Sequence, residues 1–147
     1  MTADGALDPR RAKHLRLGWW MLFVFLTMGL ALEIMHGLKT RLYLDVSSES
    51  RRLLWTLPHA HGTLLGLVNI AFASSLTAVE GPEPSWRRSA SRLLLWGSLL
   101  LPTGFFLGGL VVHGSDPWIG VLLSPVGAVL LIAGVWIVAR HVVPKRR

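Results

Sequence analysis

Residues Leu17 to Leu38 read LGWWMLFVFLTMGLALEIMHGL, a run whose one charged side chain is Glu33, and the reading of this run decides the fold. About 20 apolar residues at 1.5 Å per residue cross the roughly 30 Å of bilayer hydrocarbon, so the run is long enough to span. A secretory signal would also begin with a basic segment, and RRAKHLR precedes this one. The apolar core is too long for such a signal, however, and the EIMHGLKTR that follows has no small-residue cleavage pattern. The run is therefore read as a retained helix, with Asp8 and Pro9 as its N-cap and first-turn pair.

The rest of the chain agrees with a membrane setting. Of its 147 residues 52% are apolar and only 16% charged, with a mean hydropathy of +0.50, unlike an ordinary soluble domain. Three further runs reach spanning length, Leu57 to Val79, Leu93 to His113 and Trp118 to Ala139. The expectation is one all-α domain over residues 1–147, an integral membrane four-helix bundle. Cytoplasmic flanks collect Lys and Arg. Eleven of the fifteen lie before the first run, between the second and third, or after the fourth, which predicts both termini in the cytoplasm, at a bacterial inner membrane. Trp19, Trp20, Trp55, Trp86, Trp96 and Trp118 fall near span ends, where indole rings favour the interface.

A net charge of +7 would suggest nucleic acid in a soluble protein, but here orientation and anionic lipid account for it, and nucleic acid is set aside. The absence of cysteine removes disulfides, thiolate catalysis, iron–sulfur clusters and c-type haem attachment. The connections differ in length. GSDP alone joins the third and fourth runs, so these helices are antiparallel neighbours, with Asp116 before Pro117 read as the cap of the fourth. EGPEPSWRRSAS is a polar, turn-rich link. In KTRLYLDVSSESRRLLWT, Ser47 or Ser48 caps a short helix, ESRRLLWT, that lies at the surface or runs on into the second span with a kink at Pro58.

Within the spans, Gly62 with Gly66, Gly104 with Gly108, and Ser124 with Ala128 have the spacing that lets membrane helices approach closely. Pro102 and Pro125 sit inside the third and fourth runs and read as packing kinks. Asn69, mid-span, reads as an interhelical hydrogen-bond donor, and Met28 and Met35 as apolar filler.

Histidine placement is the informative chemistry. His36 ends the first span, His59 and His61 begin the second and His113 ends the third, so alternating topology gathers all four at the outer face, while His14 and His141 are interfacial at the inner one. Polar side chains at membrane depth tend to mark function. Glu33 shares the helix face of His36, one turn deeper. Residues two apart on a helix point about 200° from each other, so His59 and His61 either sit in a turn near Pro58 or face different neighbours.

Imidazoles from facing helices hold haem b in bundles, with Gly62, Gly66, Gly108, Gly109 and Gly114 making room and Lys39, Arg41, Arg51 and Arg52 near the propionates. Zinc or copper on His36, His61, His113 and Glu33 is the alternative, with Asp116 as a further oxygen donor. The run HAHGTLLGL resembles the histidine-bearing helices of haem-copper oxidase and nitric-oxide-reductase catalytic subunits. The resemblance implies that His59 or His61 is a haem ligand. Four spans cannot supply those subunits' full ligand set, so it implies haem binding and not oxygen or nitric oxide reduction by this chain alone.

Three readings follow: a haem or metal protein for electron transfer or a respiratory-type complex, a cofactor-free accessory subunit packed in a larger membrane complex or homo-oligomer, and a metal-dependent membrane enzyme with Glu33 as base. No nucleotide-binding glycine loop, G-x-S-x-G or H-E-x-x-H is present, so an enzyme acting alone is the least supported. A transporter or channel lacks an inverted repeat and a polar stripe.

Overall fold

The computed structural model describes residues 8–44, 49–76, 84–113 and 116–142. It is almost wholly helical: α1 (Pro9–Gly37), α2 (Arg41–Leu44), α3 (Glu49–Ser75), α4 (Ser85–Leu110) and α5 (Leu123–His141), with a two-strand clasp of β1 (Val112–His113) and β2 (Asp116–Pro117) between the last two long helices. α1, α4 and the stretch Ile119–His141 are long and apolar enough to cross a membrane. α3 is as long but less apolar, because Pro58, His59, His61 and Asn69 interrupt it.

Both ends of α1 are set locally. The Asp8 carboxylate accepts from Arg10 N–H at 2.7 Å, with Pro9 in the first turn, as the sequence predicts. At the other end Lys39 takes a left-handed φ of 52°. Its N–H reaches His36 O at 3.1 Å and Thr40 N–H reaches Met35 O at 3.0 Å, the two bonds of a Schellman stop. ESRRLLWT runs on through Pro58 as the first turns of α3, while the proposed caps Ser47 and Ser48 lie outside the described residues.

Two expectations at the α4–α5 connection change. Asp116 is not a helix cap: it pairs with His113 across the clasp, and the chain turns through a 3-10 segment, Ile119–Leu122, before α5 begins. Pro125 is not a kink, because it is the third residue of α5, where its missing N–H leaves no intrahelical bond unmade. Pro102, by contrast, lies in the interior of α4.

The long helices pack in a row, α1 on α3, α3 on α4 and α4 on α5, each antiparallel to its neighbour, with no comparable contact between α1 and α5 among the described residues. Backbones meet where side chains are absent. A Cβ on Gly18 would lie 2.7 Å from Gly66 O, and one on Gly97 would lie 2.9 Å from Gly127 O. Being flanked on both sides, α3 can carry polar groups inward. Leu65, Phe72, Leu94, Leu101 and Leu131 form the core. The outer faces of α1 and α5 stay apolar and bare, with Trp19, Phe23, Leu30, Ile132 and Trp136 all exposed.

Candidate functional site

The antiparallel row gathers the polar chemistry at two levels. One is the end where α1 stops and α3 starts. There a backbone carbonyl, Phe25 O, accepts from His59 Nδ1 at 2.7 Å. A carbonyl can only accept, so Nδ1 carries a proton, and of the two neutral tautomers this bond selects the one with its lone pair on Nε2. Gly29 makes this contact possible, since a Cβ there would collide with the His59 ring.

Beside His59 lies a cavity of about 380 Å³ between α1, α2 and α3, whose wall includes Glu33, His36, Tyr43 and Thr56. Glu33 and His36 are exposed, whereas Tyr43 is buried, with its ring edge-on to His36 at 6.3 Å and its hydroxyl 3.5 Å from Thr56 Oγ1. The fold thus brings together Glu33, His36 and His59. His61 stands apart: its Nδ1 donates to Leu57 O at 2.9 Å on its own helix and its ring lies 5.3 Å from Phe105 of α4. The helix is regular, and the two histidines face different neighbours, His59 towards α1 and His61 towards α4.

The remaining candidates are placed as follows. The backbone of His113 belongs to β1, and its side chain lies outside the described residues. Arg51 Nε donates to Gly109 O at 3.3 Å, Arg52 pairs with Glu49 at 3.8 Å, and Arg41 is exposed on α2. Among the described residues no three His, Cys, Asp or Glu side chains are grouped closely enough to hold one metal ion. Of the expected set His36, His61, His113 and Glu33, His61 is turned to α4, away from Glu33 and His36.

A haem held between the helices does not fit the residues present. Four of the glycines expected to make room are filled, Gly62 by the Phe25 ring, Gly66 by Leu22 and the Gly18 backbone, Gly108 by Val121 and Gly109 by Trp55, while Gly114 lies outside the described residues. They bring helices together and leave no slot for a porphyrin.

The second level was not read from the sequence. His14 is not an exposed side chain: it is 0% exposed and joins three helices. Asn69 Nδ2 donates to Leu65 O and to Ser98 Oγ, both at 2.8 Å, which leaves Asn69 Oδ1 to accept from His14 Nδ1 at 2.6 Å. The other ring nitrogen, Nε2, then accepts from the Ser91 hydroxyl at 2.8 Å. Phe72 closes the side with an edge contact at 4.7 Å between ring centroids. Every polar atom of the imidazole is used, so His14 has no nitrogen left for a metal or a haem. Asn69 bridges helices as its mid-span position predicts. The signal that could have located its partners is the seven-residue spacing of Ser91 and Ser98, which places both hydroxyls on one face of α4.

No protein-family model matches the chain, and no curated protein or solved structure matches it either.

Proposed function

We propose that the chain is a small integral membrane protein, its four long helices all crossing the bilayer with both termini on the basic, cytoplasmic side, that serves as a non-catalytic accessory subunit of a larger membrane assembly or homo-oligomer. The observation that carries this reading is the open row: among the described residues α1 and α5 close no ring, and both present bare apolar faces. Its interior suits a scaffold. The one buried imidazole among the described residues is saturated by its own bonds, and glycines lock the helix pairs. The test is native mass spectrometry of protein extracted from its own membranes in mild detergent. A mass well above the 16.2 kDa chain, unchanged on dilution, is expected, and a stable monomer overturns the accessory role.

A second reading rests on a specific observation, the cavity that joins two imidazoles and a carboxylate. Neutral imidazole with a carbonyl on its other nitrogen is a common arrangement of a transition-metal ligand. His59 has it, held by Phe25 O, and Glu33 and His36 are exposed side chains whose rotamers packing does not fix. The donor set suits zinc or copper, which when bound would act as a Lewis acid or an electron carrier respectively. Titration of chelator-stripped protein with cobalt(II) tests it. A d–d absorption band that is lost in His59→Ala and Glu33→Gln but kept in His61→Ala is expected, and a featureless titration rejects the metal.

A further inference from the structure

Glu33 stands one turn before the end of α1 at Gly37, between the exposed apolar side chains of Leu30 and Ile34. Among the described residues its carboxylate has neither a hydrogen bond nor an ion pair, while at the same end of the row Glu49 pairs with Arg52. A carboxylate in apolar surroundings is costly unless a cation or hydrogen-bond donors meet it. Glu33 shares the wall of the cavity of about 380 Å³ with His59, Tyr43, Thr56 and Leu32. The bonds made within this wall leave acceptors unused. Thr56 Oγ1 donates its one proton to Arg52 O at 2.8 Å, so in its 3.5 Å contact with Tyr43 the phenol is the donor and the phenolic oxygen keeps its lone pairs. His59 donates through Nδ1 to Phe25 O, which leaves the lone pair of the neutral ring on Nε2.

Size and charge then select the occupant. Glu33, His36 and His59 share the cavity without being grouped closely enough to hold one ion, whereas its volume falls within the range of roughly 300–1,000 Å³ typical of sites for organic molecules. A molecule that satisfies this wall brings N–H donors and, for Glu33, a positive charge. It also has an apolar part, because Leu30 and Ile34 flank the carboxylate. From these observations we propose that the cavity binds a primary ammonium group carried on an apolar body, with Glu33 as its counter-ion and His59 Nε2 and the Tyr43 oxygen as neutral acceptors. An ammonium group has three N–H donors and no acceptor, so it suits a wall that lacks donors. Two membrane-borne sources carry this chemistry, the headgroup of phosphatidylethanolamine and a free long-chain amine. Binding of this kind requires neither a metal ion in the cavity nor a larger assembly around the chain.

Tyr43 is the single tyrosine of the chain, so fluorotyrosine labelling places one fluorine resonance in the cavity wall. The experiment follows that resonance in chelator-treated protein in neutral detergent, titrated with dodecylamine, dodecyltrimethylammonium or dodecanol, and in phosphatidylcholine nanodiscs with and without phosphatidylethanolamine. Dodecylamine gives a saturable shift, and the alcohol and the trimethylammonium, which lack the charge and the N–H donors respectively, bind more weakly. Glu33→Gln, a change at an exposed side chain, weakens amine binding about tenfold or more, as expected for a lost bond to a charged group. Glu33→Asp keeps the charge and recovers part of it. Glu49→Gln, at a second exposed carboxylate outside the cavity wall, leaves binding unchanged. A shift on adding phosphatidylethanolamine that Glu33→Gln abolishes upholds the site and makes its source the lipid headgroup. A response to the free amine alone upholds it with a free amphipathic amine as ligand. No shift, equal responses to dodecylamine and either analogue, an equal loss in Glu49→Gln, or a response that appears only after cobalt(II) is added overturns the proposal.

Discussion

His14 Nδ1 lies 2.6 Å from Asn69 Oδ1, a bond between residues 55 apart in sequence that ties the start of α1 to the far end of α3. Through Ser91 and Ser98 the same cluster reaches α4, so one imidazole and one amide hold three helices in register. Removing either partner strands the other in an apolar interior. His14→Ala and Asn69→Ala are each expected to destabilise the fold by about 1–3 kcal/mol, the range for orphaned buried polar groups. The double variant should lose less than the sum, because the second deletion removes a group already stranded. Additive losses in thermal unfolding of the four proteins would show that the bond does not couple the helices.

Gly29 and His59 give a second test, at the opposite end. A methyl group at Gly29 meets the imidazole, and the ring can only leave Phe25 O or force α1 away from α3. Gly29→Ala is expected to lose about 1–3 kcal/mol through overpacking. A methyl group at Gly37, on the last turn of the same helix, would meet nothing within 4 Å, so Gly37→Ala should be neutral or stabilise by up to about 1 kcal/mol. Unfolding midpoints of the two variants in one detergent separate these outcomes, and equal shifts would contradict the close contact.

The α4–α5 pair depends on the same absence of side chain. A Cβ at Gly97 would lie 2.6 Å from Leu131 Cγ and 2.9 Å from both Gly127 O and Leu131 N, so backbone as well as side chain must retreat. Gly97→Val is expected to cost about 1–3 kcal/mol. Val135→Leu, on the bare face of α5, should change stability by less than about 0.5 kcal/mol. Similar losses for the two would indicate that α4 and α5 do not pack this closely.

The helical layout was legible because apolar runs of spanning length have one physical use, and the basic flanks and small-residue pairs agreed with it. The caps were legible only in part. Asp8 is followed by a helix and caps it, but Asp116, with the same Asp-Pro signature, is drawn into pairing with His113 because the connection is too short to leave a free turn. What His14 touches was not foreseen. It lies before the apolar run in sequence, which suggested a side chain free of the bundle, yet helix α1 starts at Pro9 and turns it towards Asn69. No one-dimensional pattern reveals that Asn69 and Ser91, on separate helices, converge on it. The facing of His59 and His61 was narrowed by helical geometry to two choices, and the glycine opposite His59 decided it.

Lys39 offers a gain of stability. It occupies the left-handed position of the Schellman stop after α1, with φ at 52°, where a residue with a Cβ is strained by roughly 1 kcal/mol relative to glycine. The bonds from Lys39 N–H and Thr40 N–H to His36 O and Met35 O use backbone only, so glycine keeps them. Against this, glycine makes the unfolded chain more flexible, which offsets part of the relief. Lys39→Gly is therefore expected to stabilise the protein by about 0.5–1 kcal/mol, and Lys39→Val, β-branched at the same φ, to destabilise it by more than that. The turn also sets His36 against Tyr43, so the valine variant should disturb the cavity as well, read as a change in tyrosine fluorescence or in the His36 ring resonances. If Lys39→Gly lowers the unfolding midpoint while Lys39→Val leaves it unchanged, the stop does not have this conformation.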